Sequence, residues 1–442
     1  MANSSRKTAL AALNDVTQNE GYSNIVIDKA IRAAGLEPRD AALASALFYG
    51  VLEKRMTLDY YIRKFLQKPK QKLDETVLNI LRIAVYQVLY LDKIPESAAV
   101  NEAVNCAAEY QRGRYKGFVN GVLRGFLRGR EAVSPPQDES VRWNIPQAVI
   151  DLWKKDYGEA VCGLLLEAMS QRAETFIRIN NTKTTKAALL MQLPPETAEP
   201  VEILPDALRL SGAGDPTALP GFAEGYFHVQ DLSSQLLCSL VDPQPGESVA
   251  DVCAAPGGKS FTLAERMENR GTLDAFDLYK GRVNLIRKGA ERLGLSIVSA
   301  NVRDAAVGPC EKQYDRVLCD VPCSGLGVIR RKPEIRYKKP ESFKDLPKLQ
   351  LQILSRSAEL VRPGGLLFYS TCTLNQAENR DVVEAFLKSH PAFEPYILPL
   401  SGIKHRIENE PAHMLTMMPM DFGGDGFFAA GFRKSEKKER KE

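Results

Sequence analysis

The sequence contains no run of about 18 apolar residues, which excludes a helix of the length and polarity that crosses a bilayer. Its opening, Met1-Ala2-Asn3-Ser4-Ser5-Arg6-Lys7, lacks the apolar core of an export signal, so a cytoplasmic place is expected. No Cys-x-x-Cys pair occurs and the four histidines do not gather near cysteines, so no metal site is expected. The eight cysteines lie among helix and strand patterns instead of a dense short framework; without an export signal, reduced thiols are expected. Charge of one sign is not abundant either. A net +4 over 442 residues permits nucleic-acid binding without requiring it, so local basic clusters must carry that argument.

What is present is a long, ordinary globular composition, 44% hydrophobic and 26% charged, which calls for two or three domains. Residues 5 to about 130 read as helices. Leu73, Val77, Ile80, Leu81, Ala84, Val85, Val88 and Leu89 recur at three- and four-residue spacing, and Pro38, Pro69 and Pro95 punctuate the pattern. The segment 134–140, Ser-Pro-Pro-Gln-Asp-Glu-Ser, reads as a linker. Residues 141–225 mix helix and strand signals, with Phe176 to Asn180 alternating as a half-buried strand; a small α+β insert is expected there. From 226 to 434 the rhythm is strand, glycine turn, helix, strand, which argues for a doubly wound sheet. Its strand candidates are 248–252, 273–276, 296–299, 316–319 and 366–369. Residues 435–442 form a charged tail.

The first of these strands runs into Cys253-Ala254-Ala255-Pro256-Gly257-Gly258-Lys259. Glycines at 257 and 258 let backbone N–H groups approach a ligand closely. The turn is neither Gly-x-Gly-x-x-Gly nor a phosphate-binding Gly-x-x-x-x-Gly-Lys-Ser/Thr loop. Asp277 ends the next strand and could accept from ribose hydroxyls; Asp304 follows the third and could accept from an adenine amino group. Acidic groups after successive strands, without basic phosphate clamps, suit S-adenosylmethionine.

Two cysteines follow the last two strands of the series. Cys323 lies in Asp320-Val321-Pro322-Cys323-Ser324-Gly325 and Cys372 in Ser370-Thr371-Cys372-Thr373, both polar turns. Ligands collect at the carboxyl ends of strands in a parallel sheet. A cofactor cradle beside two thiols suggests nucleophilic catalysis on an electrophilic ring, which needs a thiolate, an acid and a group assisting release. Asp320 is the acid candidate. Cys106, Cys162, Cys238, Cys310 and Cys319 read as small buried hydrophobes, while Cys253 lies inside the cofactor turn and would meet the ligand through its backbone.

These turns resemble the cofactor, Asp-x-Pro-Cys and Thr-Cys motifs of RNA 5-methylcytosine methyltransferases. Glu378-Asn379, Asp425-Gly426-Phe427-Phe428 and Tyr226 to Gln235 resemble further segments of that family. The resemblance implies a Rossmann-like class I methyltransferase domain that adds a methyl group to C5 of an RNA cytosine. By position, Cys372 would attack C6 and Cys323 would assist proton removal and enzyme release. Cys253 to Lys259, Asp277, Asp304 and Asp320 would line the S-adenosylmethionine pocket. Leu278-Tyr279 stands where relatives often carry a second acidic or polar residue.

Pro95 to Val104 and Lys116 to Arg124 resemble NusB-type helical RNA-binding domains. The architecture so implied is an all-α NusB-like domain over 1–133, the α+β insert over 141–225 and the methyltransferase domain over 226–434. A helical domain of this type ahead of such an enzyme implies small-subunit (16S) ribosomal RNA, or its assembly intermediate, as partner; a monomer is expected. Arg330, Arg331, Lys332, Arg336, Lys338 and Lys339, with Tyr337 among them, read as a loop touching phosphates and stacking on a base. Arg112, Arg114, Lys116, Arg124, Arg128 and Arg130 read as a second basic surface. Methylation of tRNA and a non-catalytic assembly factor stay open as alternatives. An exocyclic amino-methyltransferase is disfavoured, because Asp320-Val321-Pro322-Cys323 lacks the Pro-Pro-aromatic arrangement.

Overall fold

Prolines and acidic caps cut the amino-terminal half into helices. In the computed structural model, which describes residues 4–19, 23–212, 214–338, 340–399, 407 and 409–436, these are α1 (Ser5–Asn19), α2 (Ser23–Ala34), α3 (Pro38–Lys64), α4 (Glu75–Tyr90), α5 (Glu96–Glu109), α6 (Lys116–Gly129) and α7 (Glu139–Trp143). Pro38 opens α3, where its missing N–H has no helical bond to lose. Asp74 caps α4 by accepting from the amides of Thr76 (3.0 Å) and Val77 (3.2 Å). The apolar faces close on Leu47, Phe48, Leu58, Val77, Leu81, Val85, Leu123 and Phe126, each at most 1% exposed. Each such side chain contributes roughly 1.5–3 kcal/mol by burial.

This unit comprises Met1–Leu152 and, from far along the chain, Ile329–Lys338. The later segment forms a 3-10 turn, Pro333–Tyr337. It corrects the expectation of an RNA-facing loop: Arg330 and Arg336 are 8% and 5% exposed, and the Tyr337 hydroxyl donates to the Leu52 carbonyl (2.8 Å). Burial pushes that phenol up to about 12. The cause is a kink in α3 at Lys54. There the Thr57 amide donates to the Asn144 side chain (3.0 Å) instead of to the Glu53 carbonyl. Arg336 donates to that released carbonyl at 3.2 Å, meeting the need of a buried backbone group for a partner. Glu334 accepts from the Ser23 amide (3.2 Å) at the start of α2. Lys332 and Lys338 remain exposed; Lys339 lies outside the described residues.

The second unit is Trp153–Val328 with Lys339–Glu442. After α8 (Gln147–Ser170), interrupted at Gly158, come β1 (Thr175–Ile179), α9 (Lys186–Gln192), β2 (Ala198–Pro200), β3 (Ala207–Leu210) and β4 (Phe227–Val229). The four strands make an antiparallel sheet in the order β2-β3-β1-β4. Ile177, Ile179, Leu208 and Phe227, all fully buried, form its core.

The chain then alternates through α10 (Leu232–Val241), β5 (Ser248–Asp251), α11 (Gly258–Arg266), β6 (Thr272–Asp277), α12 (Lys280–Leu293), β7 (Val298–Val302), β8 (Tyr314–Asp320), α13 (Leu346–Ala358), β9 (Val361–Thr371), α14 (Arg380–Ser389), β10 (Phe393–Pro395), β11 (Met414–Met417), α15 (Pro419–Phe422) and β12 (Phe427–Lys434). The sheet order is β10-β12-β9-β8-β5-β6-β7, with β11 on β12. Strands β7-β6-β5-β8-β9 are parallel; β12 joins β9 antiparallel. This is the doubly wound sheet expected from the rhythm. Strand β7 starts two residues later than expected, because Gly294 closes α12 in a left-handed cap and Leu295 still bonds back to Ala290. No helix of the described residues is long and apolar enough to span a membrane. Of the charged tail, residues 437–442 lie outside the described residues.

Candidate active site

Strand order reverses between β5 and β8, and a crevice opens at the carboxyl ends of strands where that happens. Two expected motifs meet there. The Val252 amide donates to the Leu318 carbonyl (3.0 Å) and the Ala254 amide to the Phe276 carbonyl (2.8 Å), so the cradle is pinned to both neighbouring strands. Gly257 then turns with φ 114°, and a Cβ there would lie 2.3 Å from the Phe261 ring, so only glycine fits. Gly258 meets no such wall; its nearest neighbour would be 3.8 Å away on Gln230. Helix α11 therefore starts without a side-chain cap, its first amides free of one.

Behind the turn, Asp251 is fully buried and accepts from the Ser260 hydroxyl (2.7 Å). Burial lifts its carboxyl to about 7. Asp277 is 4% exposed, accepts from the Tyr279 amide (3.1 Å), and has Arg282 at 3.4 Å. Arg282 also donates to the Ala255 carbonyl (2.9 Å), linking Asp277 to the cradle. Asp304 is exposed and caps its own turn through the Ala306 amide (2.8 Å). Leu278 and Tyr279 present exposed apolar surface beside Asp277.

Register brings the thiols together. Cys319 pairs with Tyr369 and Asp320 with Ser370 across β8 and β9, and the Val321 amide continues the ladder to the Ser370 carbonyl (3.0 Å). The two turns that follow therefore run side by side, with Cys323 Sγ 3.2 Å from Cys372 Sγ. The two are not joined in a disulfide. Asp320 accepts from Lys259 Nζ (2.6 Å) and from the Ser370 hydroxyl (2.9 Å). Burial opposes the Lys259 charge, but the Asp320 carboxylate outweighs it and holds the ammonium above its usual range. The Cys323 thiol is pushed well up by its hydrogen bond with Cys372, then by burial, with the Glu378 and Asp320 carboxylates adding to the effect.

Several residues around the thiols carried no signal in the sequence reading. Gln350 on α13 donates to the Pro322 carbonyl (3.0 Å) and to Glu378 (2.9 Å). Trp153, fully buried, donates to the Leu374 carbonyl (3.1 Å) beneath the Cys372 turn. The Gly327 amide donates to the Cys372 carbonyl (3.0 Å), and the Gly426 amide to the Gly327 carbonyl (2.9 Å). The Asp425-Gly426-Phe427 segment thus supports the Cys323 and Cys372 turns from a third side. Among the described residues no cluster of metal-ligating side chains occurs.

A family model described as 16S rRNA methyltransferase RsmB/F matches residues 238–433, a NusB family model residues 3–128, and an RsmF/B-like ferredoxin-like domain model residues 145–217. A probable ribosomal RNA small subunit methyltransferase B of Bacillus subtilis is 38% identical over 449 residues, covering 97% of this chain and 98% of that one. The chain belongs to the 16S rRNA methyltransferase RsmB/F family. A second relative of the same description, from Synechocystis, is 35% identical and covers 98% of this chain and 100% of its own. The crystal structure of PH0851 superimposes with a TM-score of 0.82 at 26% identity, covering 97% and 98% of the two chains. The NusB-like domain, the ferredoxin-like insert and the Rossmann-like methyltransferase domain of the family are all present in this chain. S-adenosylmethionine is the family's methyl donor, and the residues fit it. Uncapped amides of α11 suit its carboxylate, Asp277 suits its ribose, and no phosphate-binding lysine loop stands in the way.

Proposed function

We propose that this chain methylates C5 of a cytosine in small-subunit ribosomal RNA through a covalent bond between Cys372 and C6 of the base. The observation that carries the proposal is the pair of thiols 3.2 Å apart past the carboxyl ends of the neighbouring strands β8 and β9, beside Asp320. When bound, S-adenosylmethionine supplies a methyl group on a sulfonium, an electrophile that C5 of free cytosine is too weak to attack. Cys372 attacks C6 as a thiolate, forming the S–C6 bond and moving electron density onto C5. Asp320 orients the base, its carboxyl group meeting N3 and the exocyclic amine. Once C5 carries the methyl group, Cys323, acting as a thiolate, accepts the proton from C5, the electron pair so released re-forms the C5=C6 bond as the S–C6 bond breaks, and Cys372 leaves as thiolate.

The electrostatics support this division of labour. The Cys372 charge interacts favourably with the Lys259 ammonium, whereas the Cys323 thiol is pushed up by its hydrogen bond with Cys372 and by burial, with the Glu378 carboxylate adding to the effect, so its thiolate is the stronger base. The thiol with a cation nearby is the better nucleophile; the other is the better proton carrier once Cys372 is bonded to carbon. Cys253 to Lys259, Asp277 and Asp304 hold the cofactor in this reading. The target base must leave any duplex to reach Cys372.

The helical unit offers the RNA a basic surface. Arg112, Arg114, Lys116, Arg124 and Arg128 are exposed along α6 and the turn before it, and we assign residues 1–133 to RNA binding on that ground. The test is transfer of labelled methyl groups to unmodified small-subunit rRNA and tRNA offered separately, with the product nucleoside identified. 5-Methylcytidine in the rRNA supports the proposal. 5-Methylcytidine in tRNA alone would overturn the substrate, and another methylated nucleoside would overturn the chemistry.

A further inference from the structure

Glu378 is a fully buried carboxylate, and among the described residues no cation pairs with it. Burying such a charge is costly unless hydrogen bonds satisfy it. Three N–H donors do so. The Ser324 amide, one residue after Cys323, donates to Oε2 at 2.8 Å. Gln350 Nε2 donates to the same oxygen at 2.9 Å while also holding the Pro322 carbonyl, one residue before Cys323. Asn375 Nδ2, three residues after Cys372, donates to Oε1 at 2.9 Å. The neighbouring Asn379, also fully buried, spans Cys372: its Oδ1 accepts from the Thr371 hydroxyl (2.6 Å) and its Nδ2 donates to the Thr373 carbonyl (3.0 Å). The Ser324 and Thr373 hydroxyls close the arrangement at 2.7 Å.

Each flank of each cysteine is therefore tied, directly or through Gln350, to one dipeptide at the start of α14. An apolar residue at position 378 would fill the same volume, but it would leave the Ser324 amide and Gln350 unsatisfied. We propose that Glu378 and Asn379 are positioning residues that clamp the Cys323 and Cys372 turns together and set the distance between the two reacting thiols. The inference rests on the roles given above to Cys372 and Cys323. It adds the device that keeps both thiols in reach of one base. Because every partner of Glu378 is a donor, only an acceptor-only side chain serves there.

That constraint defines a test with a built-in rescue. In Glu378→Gln the single oxygen can meet Ser324 and Gln350, but its amide then faces the Asn375 amide, donor against donor. In Asn375→Asp two carboxylates face each other. In the double variant an acceptor at 375 meets a donor at 378, while the carboxylate introduced at 375 still caps the Ala377 amide as Asn375 does.

Two readouts separate this proposal from the one it rests on. The first is disulfide formation between Cys323 and Cys372 in the full chain under a diazene oxidant. The two thiols lose two electrons and two protons, and the oxidant becomes a hydrazine. The rate reports thiol geometry whether or not either thiol attacks RNA. The second is single-turnover methyl transfer with separate KM values. We expect each single variant to slow both by about 10- to 100-fold with KM values nearly unchanged, as a displacement of about 1 Å does. The double variant should recover most of both rates. If Glu378→Gln is too unstable to purify, the double variant and Asn375→Asp decide the matter. A double variant that folds yet joins its thiols as slowly as Asn375→Asp overturns the clamp, as does wild-type disulfide formation in either single variant. If disulfide formation responds as expected but the wild type makes no 5-methylcytidine, the clamp stands and the proposed chemistry falls.

Discussion

Gly327→Ala should nearly silence the enzyme without unfolding it. A Cβ at 327 would lie 1.9 Å from the Gly426 carbonyl oxygen and 2.9 Å from that of Cys372. Both neighbours are backbone and cannot rotate aside. Opening the contact from 1.9 Å to the 3.0 Å at which real Cβ contacts begin requires a retreat of about 1.1 Å. That retreat breaks or stretches two hydrogen bonds, Gly327 to Cys372 (3.0 Å) and Gly426 to Gly327 (2.9 Å). Overpacking of this kind costs roughly 1–3 kcal/mol of stability. The larger effect is geometric, since a misplacement of about 1 Å at reacting groups lowers rates by about 10²-fold. The assay is single-turnover methyl transfer beside a cofactor-binding titration. The rate should fall about a hundredfold while cofactor affinity stays within about threefold, because the cradle on β5 does not touch Gly327. A variant that turns over within about twofold of wild type would refute the claim that this backbone contact sets the position of Cys372.

Cys372→Ala should abolish methylation while leaving S-adenosylmethionine binding intact, and retained turnover would remove it as nucleophile. Cys323→Ala should accumulate a denaturant-resistant protein–RNA band on gels; normal turnover would remove its release role. Asp251 loses its proton near pH 7 when folded but near about 4 when unfolded. Stability contributed by this group is therefore fully present below pH 4 and is lost as pH rises to 7. Asp251→Asn should remove a fall in stability of up to about 4 kcal/mol between pH 4 and 7 in denaturant titrations, and an unchanged pH dependence would reject it. Replacing Arg112, Arg114 and Lys116 with alanine should weaken rRNA binding and reduce the slope of log affinity against log salt by up to about 2–3; an unchanged slope would separate this surface from RNA.

Local signals made the sheet and its turns legible. Short apolar strands, glycine at a positive-φ turn and cysteines in polar strand-end turns all depend on neighbours in sequence. Pairings across the sheet were not legible. Lys259 and Asp320 are 61 residues apart and meet only because β5 and β8 are adjacent in parallel register. The same holds for Trp153 beneath Leu374 and for Gln350 behind Pro322. The basic segment after Cys323 misled for a different reason. Arginine there satisfies a carbonyl exposed by a helix kink, and nothing in the spacing of α3 announces the kink at Lys54.

The strap formed by residues 329–338 gives the chain an unusual connectivity, because the polypeptide enters its helical unit twice. A single cut near residue 133 cannot release that unit cleanly. It would strand Ile329, Ile335 and Arg336, all nearly buried, without the surroundings that satisfy them. The helical unit is discontinuous in sequence, not merely strung ahead of the second unit. Swapping helical domains between relatives should therefore succeed only when the ten strap residues travel with them.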